Sequence, residues 1–213
     1  MRLELILLGV LLERPRTGYE LQRFMDSTGR FLRSNTSMTQ VYRSLRRMEA
    51  DGWLAHEVEP RLGARDAKRH HVTAEGAAAF HAWLREPYHP SDLPGGQDLS
   101  VHLRFRAAHL GRDAVIELLD AELAFRRRQI ARDRDRDRTE WYEPGSSIDA
   151  ALTGALMNWQ HARGASRMDD HVAACAELRD VLAAGGVPHP DQPNPLRPVD
   201  APDPTGPGLS EVP

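Results

Sequence analysis

Gln40, Arg43, Arg46 and Arg47 fall within eight residues of one another in the stretch "SNTSMTQVYRSLRRMEADGWL", residues 34–54. A guanidinium is a planar fork that can donate two parallel hydrogen bonds, to a carboxylate, a phosphate or the O6/N7 edge of guanine. A glutamine amide can do the same for the N6/N7 edge of adenine. At about 100° per residue, Thr39, Arg43, Arg46 and Arg47 share the side of a helix opposite Val41, Leu45 and Met48. An apolar stripe against a core and a cationic face turned outward suit a helix that meets a polyanion. Taken alone, the same pattern also describes a solvated amphipathic helix.

Local signals delimit this helix. Ser37 and Gln40 form a capping box, and Gly52 suits the left-handed residue that follows a helix. Upstream, residues 3–12 read as an apolar helix with Leu3, Ile6, Leu7, Val10 and Leu11 inward. Pro15 breaks the chain, and a second capping box, Thr17 with Glu20, opens a helix that buries Leu21, Phe24 and Met25. Downstream, "WLAHEVEP" alternates with a strand period, the charged "RLGARDAKR" turns the chain, and "RHHVT" returns. Thr73 caps a fourth helix with Ala77, Phe80, Trp83 and Leu84 inside. Helix, helix, helix, hairpin, helix is the order of a winged helix-turn-helix, whose third helix enters the major groove of duplex DNA.

Arg43 and Gln40 are therefore the expected base contacts, with Thr39 next. Ser37, Tyr42, Arg46 and Arg47 are expected at phosphates, which position without reading sequence. Arg61, Arg65, Lys68 and Arg69 are expected at flanking phosphates or in the minor groove; a charged hairpin that touches nothing is the plainer alternative.

The chain has 213 residues, 28 Lys+Arg against 31 Asp+Glu, and a formal net charge of −3. Residues 1–86 hold 14 basic and 11 acidic side chains, and residues 87–213 hold 14 and 20. A basic front and an acidic back fit a polyanion-binding module on a separate scaffold. The first apolar run contains Glu4 and is too short to span a bilayer, so no membrane segment is expected and a cytoplasmic location is. One cysteine, Cys175, leaves no internal disulfide and no Cys-based zinc site. His70 and His71 point to opposite faces of a strand, and His102 and His109 lack a third ligand, so no metal is expected. No phosphate-cradling glycine loop, Ser/His/Asp signature or clustered carboxylate pair stands at a structured position; neither a cofactor nor an enzymatic activity is expected.

After the linker "YHPSDLPGGQD", residues 99–110 read as a helix broken by Gly111. A long helix from Asp113 carries Ile116, Leu119, Leu123 and Ile130 at heptad-like intervals. A last long helix, capped near Ser147, carries Leu152, Leu156 and Trp159, then Val172 and Leu178, with Gly164 as a candidate kink. Such stripes close no core alone, and a second copy is the simplest cover, so these nine apolar residues are the expected dimerisation set. Trp141 and Trp159 could line a pocket between subunits for a small aromatic or apolar effector, although tryptophans more often only fill a core. The resulting organisation is mainly α: a winged helix-turn-helix domain over 1–86, a linker over 87–97, a helical dimerisation domain over 98–184 and a disordered Pro-rich tail over 185–213.

In "LELILLGVLLERPRTGYEL", "TQVYRSLRRMEADGWL" and "HHVTAEG", the chain resembles the PadR family of bacterial transcriptional regulators. "DLSVHLRFRAAHL" and the helices after it resemble its longer, virulence-activator-like members. The likeness covers roughly residues 1–183. It implies a homodimer with N-terminal winged helices and a helical C-terminal dimerisation domain, acting as a repressor often released by a small effector. By position, it sets Tyr42 against the DNA backbone and Gln40 and Arg43 nearest the bases. One departure is His70, where the family often has an aromatic residue. The implied function is sequence-specific binding of a homodimer to an inverted-repeat operator; the competing reading is a winged-helix module that binds protein instead of DNA.

Overall fold

The computed structural model describes residues 3–60, 66–137, 141, 143, 145 and 147–188. Its elements are α1 (Leu3–Glu13), β1 (Arg16–Thr17), α2 (Gly18–Asp26), a 3-10 turn (Thr28–Phe31), α3 (Met38–Ala50), β2 (Leu54–Glu59), β3 (Ala67–Val72), α4 (Ala74–Arg85), α5 (Gln97–His109), α6 (Arg112–Asp133) and α7 (Ala150–Ala183). The fold is mainly α, a winged helix-turn-helix followed by long helices.

Both capping boxes are present. Thr17 accepts from the Glu20 N–H while Glu20 accepts from the Thr17 N–H, and Ser37 and Gln40 do the same at α3. Gly52 has φ +74°, which lets the chain turn directly from α3 into β2. β2 and β3 pair antiparallel with Leu54 opposite Val72, His56 opposite His70 and Glu59 opposite Ala67. The returning strand starts at Ala67, ahead of the stretch that "RHHVT" marks. β1 adds a third strand, with Arg16 opposite His70. Two residues long, it is too short to leave a period in the sequence.

α1 is the axis of the N-terminal core. Leu5, Ile6, Leu7, Leu8, Val10 and Leu11 are all buried, because α3, α4 and β3 surround the helix. Leu21, Met25, Val41, Leu45, Met48, Phe80 and Leu84 complete the cluster. Val101 and Phe105 of α5 join it too, with Phe105 meeting Phe80 edge-on at 5.4 Å. α5 faces a second cluster through Leu99, which packs with Val115, Leu118, Leu119, Leu123 and Cys175. The same helix thus belongs to both cores.

α6 and α7 run antiparallel. As residue numbers rise along α6 their partners fall along α7: Arg112 donates to the Leu182 carbonyl, Asp120 pairs with Arg179 at 3.0 Å, and Arg134 pairs with Asp169. α7 begins at Ala150 with Asp149 as its cap, two residues past Ser147, and continues unbroken through Gly164. At 1.5 Å per residue its 34 residues extend about 50 Å against about 33 Å for the 22 of α6. The N-terminal part of α7 therefore runs beyond its partner.

This arrangement divides the nine candidate dimerisation residues. Leu119 and Leu123 are buried in the chain's own α6–α7 seam, and Val172 and Leu178 pack against it. Ile116 and Ile130 are half-buried. Leu152, Leu156 and Trp159 are exposed and, at spacings of four and three, form one uncovered stripe. A heptad pattern cannot tell a partner helix in the same chain from one in another; here the same chain supplies the cover for the first four.

The described residues stop at 188, so residues 189–213 of the Pro-rich tail lie outside them, as do Arg61 and Arg65. Among the described residues no helix is long and apolar enough to cross a membrane.

Candidate nucleic-acid interface

α3 sits on α1 and α2 through Val41, Leu45 and Met48, all buried, and Ser44 donates to Glu4 at 3.3 Å. Its other side is uncovered. Ser37, Thr39, Tyr42, Arg43, Arg46 and Arg47 are exposed and Gln40 is half-buried. Arg47 lies 3.8 Å from Asp51, a loose surface pair that stabilises little. Arg43 and Arg46 make no ion pair among the described residues. The cationic face is held ready by burial on the opposite side alone.

Two of these side chains already have work. Ser37 Oγ accepts from the Gln40 N–H at 3.3 Å, and Gln40 Oε1 accepts from the Ser37 N–H at 2.9 Å. With Oε1 so engaged, only the Gln40 amide nitrogen projects freely. Two-point reading of adenine needs both atoms, so it would require the cap to open.

Tyr42 lies over the start of α2. A Cβ on Gly18 would stand 2.6 Å from the Tyr42 ring, so only glycine lets the ring lie so close to that helix end. Tyr19 is half exposed beside it. Tyr19, Tyr42 and Arg46 line a cleft of about 580 Å³ between the start of α2, the flank of α3 and β3, completed by Glu49, Lys68 and His70. Lys68 is exposed on the wing side.

Arg69, expected at a phosphate or in the minor groove, is engaged within the chain. Its guanidinium donates to Glu59 at 3.0 Å, to Glu20 at 3.3 Å and to the Pro15 carbonyl at 3.3 Å. It ties the α2 cap to the wing and would have to release these partners to reach a phosphate. Burial alone would raise the Glu20 carboxyl, but the Thr17 bonds and Arg69 hold it below the usual carboxylate range.

Glu49 and His56 escaped the sequence reading as site residues. Both approach His70 under the cleft, and nothing in their spacing announces it, because they meet only when the hairpin folds back on α3. No group of three or more His, Cys, Asp or Glu among the described residues is placed to hold a metal ion. His102 is buried against Trp83 and Tyr88, with ring centres 5.0 and 5.2 Å apart, and burial pushes it down to about 4. His109 packs on Phe80 at 5.1 Å.

Of the candidate effector residues, Trp141 is 92% exposed and Trp159 60%, with Arg163 over the Trp159 ring. Among the described residues, none encloses either side chain.

Residues 7–82 match the sequence model of the transcriptional regulator PadR-like family. The chain is 27% identical over 177 residues to the probable transcriptional regulator Rv1176c of Mycobacterium tuberculosis, a match covering 80% of this chain and 91% of that one. Among solved structures it is similar to Bacillus subtilis PadR in complex with operator DNA, with 15% identity and a TM-score of 0.40 over 84% of this chain and 98% of that one. It is also similar to smu.1604c from Streptococcus mutans, with 20% identity and a TM-score of 0.40 over 87% and 98%.

Proposed function

Since the chain carries a PadR-like transcriptional-regulator domain over residues 7–82, we propose that it acts as a homodimeric repressor on an inverted-repeat operator. α3 enters the major groove, Arg43 reads a base edge there, and Arg46, Arg47 and Tyr42 hold phosphates. The sugar–phosphate strand beside that groove runs along the cleft between α3 and β3, where Lys68 meets it. The observation that carries this reading is the uncovered cationic face of α3 opposite a fully buried apolar stripe.

Two copies are joined through the overhanging part of α7. Leu152, Leu156 and Trp159 form an apolar stripe that a second copy would bury. Such pairing sets the two α3 helices at a fixed separation, which favours half-sites one helical turn apart or a multiple of it. A small aromatic or apolar effector settling beside Trp159 would disturb the pairing and release the DNA.

Footprinting on the DNA upstream of the chain's own coding sequence tests the proposal. A protected inverted repeat with steep loss of affinity in salt is expected. Salt-insensitive association with a protein partner and no protected DNA would overturn it.

A further inference from the structure

The joint between α3 and the wing holds a cluster for which groove reading has no use. Glu49 Oε1 lies 2.7 Å from His56 Nδ1 and 3.1 Å from His70 Nδ1. The two imidazoles stand opposite each other on β2 and β3, with ring centres 5.9 Å apart. His70 is 4% exposed. One carboxylate oxygen serves two rings, and neither that oxygen nor His70 Nδ1 has an aligned hydrogen bond among the described residues. His70 and Glu49 line the cleft into which the proposed DNA strand fits.

The groups around His70 are mostly cationic. Arg46 faces the cleft from α3 and Lys68 from β3 itself, while Arg16 stands directly across on β1. Tyr19 of α2 and Asp66 line the same cleft. From α1 and α4, no charged group lies within ion-pairing distance of His70 among the described residues. Burial holds His70 below its ordinary value, against the pull of Glu49 and with the help of His56 and Lys68. Without DNA, burial and the neighbouring cations favour the neutral ring.

We infer that the Glu49–His56–His70 cluster is a single-proton site linked to DNA docking, taking up one proton as a duplex fills the cleft. The inference rests on the DNA-binding reading above. Phosphates beside Arg46 and Lys68 cancel the positive potential that disfavours an imidazolium, while the filled cleft strengthens its attraction to Glu49. Two imidazoles 5.9 Å apart repel if both are charged, so one proton enters, not two. Bridged through Glu49, it braces the wing against α3. By reciprocity, whatever makes DNA raise proton affinity makes protons raise DNA affinity.

The test uses the full chain and the footprinted duplex, titrated between about pH 6 and pH 8.5 at fixed ionic strength. Affinity should rise as pH falls, approaching about tenfold per pH unit for each proton taken up, and so about a hundredfold for a dimer with both winged units docked. Calorimetry in two buffers of different ionisation heat should show uptake of about one proton per winged unit. His56→Gln and His70→Gln keep polar side chains that cannot titrate, and each should flatten the profile. His56 is the more exposed of the pair, so its variant serves if the other misfolds. A wild-type affinity independent of pH, or variants that keep the wild-type slope, would overturn the proton linkage while leaving DNA binding intact. If the wild type bound no duplex at any pH, the DNA reading would fail and the linkage with it.

Discussion

Arg126 Nε lies 2.7 Å from Glu122 Oε1, one helical turn away, and both side chains are 1% exposed. The guanidinium also donates to the carbonyls of Asp92 and Leu93, and Glu122 accepts from the Tyr88 hydroxyl at 3.2 Å. His171 of α7 reaches the same carboxylate at 2.9 Å. The pair thus gathers the 88–93 segment, α6 and α7 around one buried ion pair. Burial and Glu122 together push the Tyr88 phenol up.

Arg126→Met should therefore destabilise the fold by roughly 3–5 kcal/mol, because it leaves Glu122 buried without its cation and frees two carbonyls. Urea unfolding of the variant checks this. A loss below about 1 kcal/mol would mean that the segment is held by apolar contacts alone.

On the operator, Arg43→Ala should cost about 1–3 kcal/mol at one base position and relax preference there. Lys68→Ala should weaken every sequence alike and lower the salt slope by about one. Arg69→Ala should leave the salt slope unchanged and reduce thermal stability instead, since its partners are Glu20 and Glu59. Binding isotherms on wild-type and scrambled duplexes at several salt concentrations separate the three.

Acid should destabilise the protein before its carboxylates titrate. His70, His102 and His109 all have folded values below the ordinary one, chiefly through burial. A depressed histidine favours the fold fully above its unfolded value near 6.5, and that contribution is lost as pH falls toward the folded value. For His102, with a folded value of about 4, the window runs from about 6.5 down to about 4, at up to about 1.4 kcal/mol per pH unit. Thermal unfolding across that range should show a falling midpoint, and His102→Gln should flatten it.

Leu156→Glu should abolish self-association without unfolding the chain, since Leu156 is 53% exposed in a single copy. Sedimentation equilibrium should show a dimer for the wild type and a monomer for the variant. An unchanged dimer would move the interface elsewhere on the helical half.

An aromatic ligand that weakens operator binding should also quench Trp159. Ligand titration by fluorescence, repeated with Trp159→Leu, checks whether both effects vanish together.

Short-range signals carried most of the fold. Capping boxes at Thr17 and Ser37, Gly52 and the Val41–Leu45–Met48 stripe each depend on neighbours within a turn or two, so they can be read without coordinates. The contacts of Arg69 and of Glu49 with His56 and His70 could not, because they join residues 7 to 54 positions apart through the closure of a hairpin. The same limit applies to Leu119 and Leu123. Their spacing says that something covers them, and only the antiparallel return of α7 says what.

Gln40 both winds the first turn of α3 and stands where that helix would meet a base. On the proposed docking, specificity and folding are therefore entangled at one codon. Replacing this amide to favour another nucleotide would also unfasten the helix start, whereas Arg43, which closes no cap, can be exchanged without that penalty. Descendants of this protein that acquire a new target have an easier path through position 43 than through position 40.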